Sequence, residues 1–153
     1  MDVLMLPISE LLPHDPPMVL LDRVLSFDES SLVAEVTIHR DSVLCDESGV
    51  PGWVGIEYMA QAVAAHAGAQ ARLEGNTPSV GYLLGTRSYK CLLPAFPVGA
   101  TLTVHIKALF VEMSLGAFEC RIETDEEVAT ATINVYQPAD SDVESLDSGK
   151  ISG

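Results

Sequence analysis

The chain predicts an α+β domain in which an antiparallel six-stranded sheet wraps around one long central helix. Three observations point there. Residues 53–73 form a long run of good helix formers, with small side chains at Gly55, Ala60, Ala62, Ala64, Ala65, Ala67, Gly68, Ala69 and Ala71 on nearly every side. Two stretches before this run and four after it alternate apolar and polar residues and are rich in β-branched and aromatic types. Short turn-forming links join the last three stretches, which favours antiparallel hairpins.

Residues 19–27 and 32–39 read as the first two strands, around the turn Asp28-Glu29-Ser30-Ser31. An Asp- and Ser-rich loop over residues 40–50 then leads to the helix; a loop of that length inside a compact domain commonly serves a site. Pro51 and Gly52 punctuate the helix start, and Gly75-Asn76 supplies its stop. Glu57, Gln61, His66, Gln70 and Arg72 interrupt the helical run often enough to exclude a membrane span. Residues 79–89, 101–112, 117–124 and 127–136 read as the remaining strands, with Ser114-Leu115-Gly116 and Asp125-Glu126 as turns. Pro138 ends the last of them. The folded domain is therefore expected over residues 1–137, with an acidic, disordered tail over 138–153. One sheet and one helix leave apolar surface uncovered, so a homodimer is expected.

The 153 residues suit one domain, and a 48% hydrophobic share excludes disorder of the whole chain. Eight Lys and Arg against 22 Asp and Glu give a net charge of −14, which repels nucleic acid and anionic membranes. Cys45, Cys91 and Cys120 have no metal-type spacing and leave an odd thiol, as suits a cytoplasmic protein; no metal and no cofactor is expected. The first residues carry no basic segment or apolar run of a secretory signal.

Chemistry is expected at the helix start. Unpaired amides and the positive dipole end suit a carbonyl oxygen gaining charge, and the stretch Gly52, Trp53, Val54, Gly55 would let a ligand approach that backbone. Glu57 lies in the following turn, with Gln61 at i+4 on the same face. Set among Trp53, Ile56, Tyr58 and Met59, the carboxyl would favour its neutral form and serve as an acid or base. The alternative is a first-turn acid that merely suits the dipole. His66 falls half a turn away from Glu57 and is expected to pack, while His39 and His105 read as strand-end or surface histidines. His14, in the proline-stiffened segment LPHDPP, is either an imidazole held beside a helix terminus or a structural side chain in a rigid turn. Arg87 and Lys90 stand close together in a chain poor in cations, either as scattered solvation or as a docking patch for an acidic phosphopantetheine carrier.

Three segments resemble one family. LPHDPPMVLLDRV, VPGWVGIEYMAQ and RSYKCLLPAFPVGATL are similar to motifs of the FabZ-type 3-hydroxyacyl-acyl-carrier-protein dehydratases, over about residues 10 to 137. The resemblance implies the hotdog fold and elimination of water from a 3-hydroxyacyl thioester on acyl carrier protein, giving a trans-2-enoyl thioester. It implies that Glu57 gives a proton to the departing hydroxyl, that Gln61 orients it, and that the thioester carbonyl faces Gly52 to Gly55. The family's loop histidine has no counterpart in RDSVLCDESGV, where Val43 to Asp46 occupy its region. The base therefore has to come from elsewhere, and His14 is the candidate. That departure resembles a branch associated with aryl-polyene and related lipid synthesis. Two other functions compete: a hotdog acyl thioesterase, in which the helix carboxylate activates water, and a noncatalytic acyl-binding subunit paired with an active dehydratase.

Overall fold

Alternation at two-residue spacing becomes one continuous buried sheet face in the computed structural model, which describes residues 2–12, 18–76, 82–112 and 115–136. The elements are β1 (Arg23–Phe27), β2 (Ser31–Thr37), β3 (Val50–Pro51), α1 (Gly55–Leu73), β4 (Tyr82–Cys91), β5 (Ala95–Phe96), β6 (Thr101–Glu112), β7 (Leu115–Glu123) and β8 (Glu127–Tyr136). Six strands form an antiparallel sheet in the order β1-β2-β6-β7-β8-β4. A separate two-residue pair joins β3 to β5, with Val50 opposite Phe96. Expected and observed strands agree, apart from this small pair and a few end residues.

Register explains the core. Leu32, Ala34 and Val36 lie opposite Ile106, Val104 and Leu102. Val104, Ile106 and Ala108 lie opposite Ile122, Cys120 and Phe118, which in turn face Ala129, Ala131 and Ile133 on β8. Nearly all of these side chains are buried and point to one face, as the period of two requires. On that face sits α1, burying Tyr58, Met59, Ala62, Val63, Ala65, His66 and Ala69.

The helix ends where expected. Asn76 N–H reaches Ala71 O at 2.8 Å and Gly75 N–H reaches Arg72 O at 3.1 Å, a Schellman closure that needs the positive φ of 79° at Gly75. Small residues admit neighbouring backbone: a methyl at Gly68 would collide with the Leu11 carbonyl. The first strand is shorter than expected. It begins at Arg23, with Asp22 N–H still donating to Glu35 O at 2.8 Å, while Leu20 N–H upstream donates to the Gln61 side chain. The 138–153 tail, the 79–81 start of the third expected strand and the Ser114 turn residue lie outside the described residues, as does His14. Among the described residues, no helix is long and apolar enough to cross a membrane.

Candidate functional site

The chain enters α1 through a 3-10 turn, Gly52–Val54. Glu57 follows in the first turn of the helix, and Gln61 Nε2 approaches its Oε1 at 3.5 Å, as i+4 spacing implies. Gln61 is 1% exposed and does more than touch Glu57. Its Oε1 accepts from Leu20 N–H at 2.8 Å and its Nε2 donates to Met18 O at 2.6 Å. A buried amide with its donors and acceptor so engaged is fixed in orientation. Gln61 therefore pins the segment that follows the PHDPP stretch against the helix carrying Glu57.

Two expectations are corrected. The Glu57 carboxylate is exposed, not set among apolar neighbours, because it lies on the side of α1 that faces away from the sheet. The desolvation expected for it is not provided by its own chain. Nor do the glycines open the backbone to a ligand. Over Gly52 lie Leu93 O, Cys91 Sγ and Pro94 O, and over Gly55 lie the Tyr89 hydroxyl, Ile122 and Phe96. Gly52 N–H donates to Pro94 O at 2.9 Å, and the Tyr89 hydroxyl donates to Gly52 O at 2.5 Å. Burial holds that phenol protonated by pushing its pKa well up. In this turn Gly52, Val54 and Gly55 are buried and Trp53 is 62% exposed, so Trp53 is the point at which a ligand can meet the turn.

The remaining expected residues separate. His66 is buried between Phe27 and Phe118, and its Nε2–H donates to Asp28 O at 3.0 Å. His105 pairs with Glu123 at 2.7 Å, beside Arg121. Arg87 and Lys90 are both exposed on β4, and neither joins an ion pair among the described residues. A bulge between them, with Ser88 at φ 55°, sets Arg87 opposite Thr132 and Lys90 opposite Thr130. Because Thr130 and Thr132 are two apart on β8, both cations share one sheet face. They form a patch, on the face away from α1.

One feature escaped the sequence reading. A cavity of about 200 Å³ opens beneath the start of the 40–50 loop, lined by Asp22, Thr37, His39, Asp41, Ser42 and Tyr58, with Val19, Leu20, Val36 and Val43. Tyr58 is 3% exposed, and its pKa is pushed up to about 12 by burial and by the nearby Asp22 and Cys45. A tyrosine one position after an expected catalytic acid carries no spacing signal. Among the described residues no three His, Cys, Asp or Glu side chains form a group able to hold a metal ion.

Comparison with known proteins bears on this geometry. A family model described as ApeP-like, ApeP dehydratase, matches residues 6–146. The chain is 34% identical over 125 residues to a 3-hydroxyacyl-[acyl-carrier-protein] dehydratase FabZ of Deinococcus radiodurans, covering 77% of this chain and 81% of that protein. Among solved structures, the dehydratase heterocomplex ApeI:P from Xenorhabdus doucetiae superposes with a TM-score of 0.82 at 34% identity, covering 92% of this chain and 97% of its own. A hypothetical thioesterase with coenzyme A from Streptococcus pneumoniae superposes with a TM-score of 0.60 at 14% identity, over 76% of this chain and 88% of its own, a likeness of fold alone.

Proposed function

The chain belongs to the ApeP-like dehydratases, FabZ-like enzymes of the hotdog fold, and from that premise we propose how its own residues carry out the reaction. The chemistry is a lyase reaction, dehydration of a 3-hydroxyacyl group held as a thioester on acyl carrier protein. A base removes a proton from C2, the C3 hydroxyl leaves with an added proton as water, and a trans-2 double bond remains. The thioester carbonyl meets the helix start at Trp53, where the dipole favours the charge that develops on oxygen. Glu57 delivers the proton to the departing hydroxyl and Gln61 orients its carboxyl. His14 takes the C2 proton. The supporting observation is the Gln61 side chain, which engages Glu57 and the Met18–Leu20 segment at once and so ties the acid to the chain that continues from His14.

The working unit is a homodimer, in which a second copy covers the open side of α1 and desolvates Glu57. Residues 1–137 make the domain, and 138–153 its acidic tail. The setting is cytoplasmic fatty-acid or aryl-polyene synthesis, and Arg87 with Lys90 receives the carrier. A second reading, pairing with a different dehydratase-type subunit, is favoured by the heterocomplex formed by the Xenorhabdus relative and by the absence of a histidine at residues 43–46.

The test is turnover of a 3-hydroxyacyl carrier protein followed by enoyl absorbance. Glu57→Gln is expected to lower the rate by about 10²–10⁴. Undiminished turnover refutes the acid role, and thiol release without enoyl product marks a thioesterase. Light scattering of the pure chain separates the homodimer from a chain that needs another subunit.

A further inference from the structure

The cavity under the 40–50 loop has a lining of its own, which includes neither Glu57 nor Gln61. Met18 and Leu20 bond to the Gln61 amide, while Val19 and Leu20 also line the cavity. That segment therefore touches both. Within the cavity, three of the polar lining groups already have partners. One Asp22 oxygen accepts Thr37 N–H at 2.7 Å, the Ser42 hydroxyl oxygen accepts His39 N–H at 2.8 Å, and Thr37 Oγ1 contacts Thr101 Oγ1 at 3.2 Å. Tyr58 differs from these, being both buried and unpaired among the described residues. Its ring packs against Phe96 with centroids 6.0 Å apart, yet among the described residues its hydroxyl has no hydrogen-bond partner, although the side chain is 97% removed from solvent. A buried hydroxyl left unsatisfied is costly, so the atom opposite it should be an acceptor.

The lining narrows what that atom belongs to. Tyr58 keeps its proton throughout the physiological range, so it is a fixed donor. The second oxygen of Asp22 and the carboxylate of Asp41 are fixed acceptors, and their charges repel an anion. An ammonium group would satisfy the carboxylates but leave the Tyr58 proton without a lone pair. An alcohol meets both demands, because it accepts from Tyr58 and donates to a carboxylate. We propose that this cavity is a second binding site of the chain, taking a neutral alcohol group held between the Tyr58 hydroxyl and the carboxylates of Asp22 and Asp41. A volume near 200 Å³ suits a small head group and not a long acyl chain.

The dehydratase reading enters only in the choice of probes. In that substrate an alcohol occurs in two places, the 3-hydroxyl of the acyl group and the hydroxyl of the pantetheine arm. Three small molecules separate them: 3-hydroxybutyryl-N-acetylcysteamine carries only the acyl alcohol, pantetheine only the alcohols of the arm, and butyryl-N-acetylcysteamine neither. Each is titrated into the full chain while the His39 ring resonances are followed. Tyr58→Phe keeps the ring and its contact with Phe96. It is expected to weaken binding of an alcohol-bearing probe about five- to tenfold and to leave the butyryl thioester unchanged. Exposed Asp41→Asn should weaken the same probe and tests the site without touching the core. A response to the 3-hydroxybutyryl probe places the acyl group in the cavity, and a response to pantetheine places the carrier's arm there. Equal affinities for wild type, Tyr58→Phe and Asp41→Asn with both alcohol probes overturn the proposal and leave water as the occupant. Enoyl formation is read independently. Its absence while the Tyr58-dependent binding persists counts against the dehydratase reading and not against the site.

Discussion

The two long sides of α1 are built from similar residues and end in different states. Toward the sheet, Met59, Ala62, Ala65 and Ala69 are completely buried, and Gly68 is pressed on by the Leu11 backbone. On the other side, Trp53, Glu57, Ala60, Ala64 and Ala67 form a stripe at helical spacing that remains partly or fully exposed. Small residues serve close packing in both places. Only on the inner side is the packing complete within one chain. The outer stripe carries the expected acid, Glu57, and the core is complete without it.

The largest effect that sharpens this contrast is on stability. Met59→Ala removes a fully buried side chain from the inner side and is expected to cost about 3 kcal/mol, measured by denaturant unfolding. Ala64→Arg on the outer side, by contrast, should leave the circular dichroism spectrum of the folded chain intact and, for the homodimer proposed above, lower its mass in light scattering to that of a monomer. If Ala64→Arg unfolds the chain, or leaves a dimer in place, the two sides do not divide the work of folding and assembly in this way.

A smaller effect concerns His66, the polar member of the inner side near the β1–β2 turn. Burial lowers its pKa below the ordinary 6.5, against the opposing backbone hydrogen bonds of Asp28 and Glu29 and the charge of Asp28. The unfolded chain therefore takes up a proton at His66 near pH 6.5 that the folded chain refuses. Folding stability should fall as pH drops below about 6.5 and be insensitive to this group above it. The melting temperature of wild type should decrease between pH 7.5 and pH 5.5 by more than that of His66→Gln. An equal decrease would show that other groups carry the acid sensitivity.

What was legible in the sequence follows the same division. The helix and all six main strands were readable because burial against one neighbour imprints a period of 3.6 or 2 on the chain. The Glu57–Gln61 contact was readable because i+4 spacing fixes it locally. The cover over Gly52 and Gly55 was not, since Tyr89, Leu93 and Pro94 arrive from β4 and the segment after it. A glycine that admits a ligand and one that admits another strand look alike in sequence. Tyr58 was missed for a related reason. Its cavity is assembled from the β1 approach, the end of β2, the loop and the helix, and none of these carries a motif. The exposure of Glu57 was misjudged because the small residues around it signal close packing without saying whether the partner is the same chain.

The smallest effect expected is on encounter with the carrier. The chain's charge of −14 repels an acidic carrier protein at long range, and the repulsion is weakest where cations are grouped. The bulge at Ser88 groups two, since without it Arg87 and Lys90, three residues apart, would point to opposite faces of β4. Both are exposed, and neither forms an ion pair among the described residues, so their charge is not neutralised within the chain. Reversing both, Arg87→Glu with Lys90→Glu, should raise KM for carrier-bound substrate several-fold, on the order of 1 kcal/mol in encounter free energy. Turnover of an N-acetylcysteamine thioester, which has no carrier to dock, should stay near that of wild type. Added salt should weaken the wild type's preference for the carrier-bound form and affect the double variant less, because screening acts on charges exposed to solvent. If both substrates suffer equally, the bulge and its cations support the sheet, and the carrier approaches by another surface.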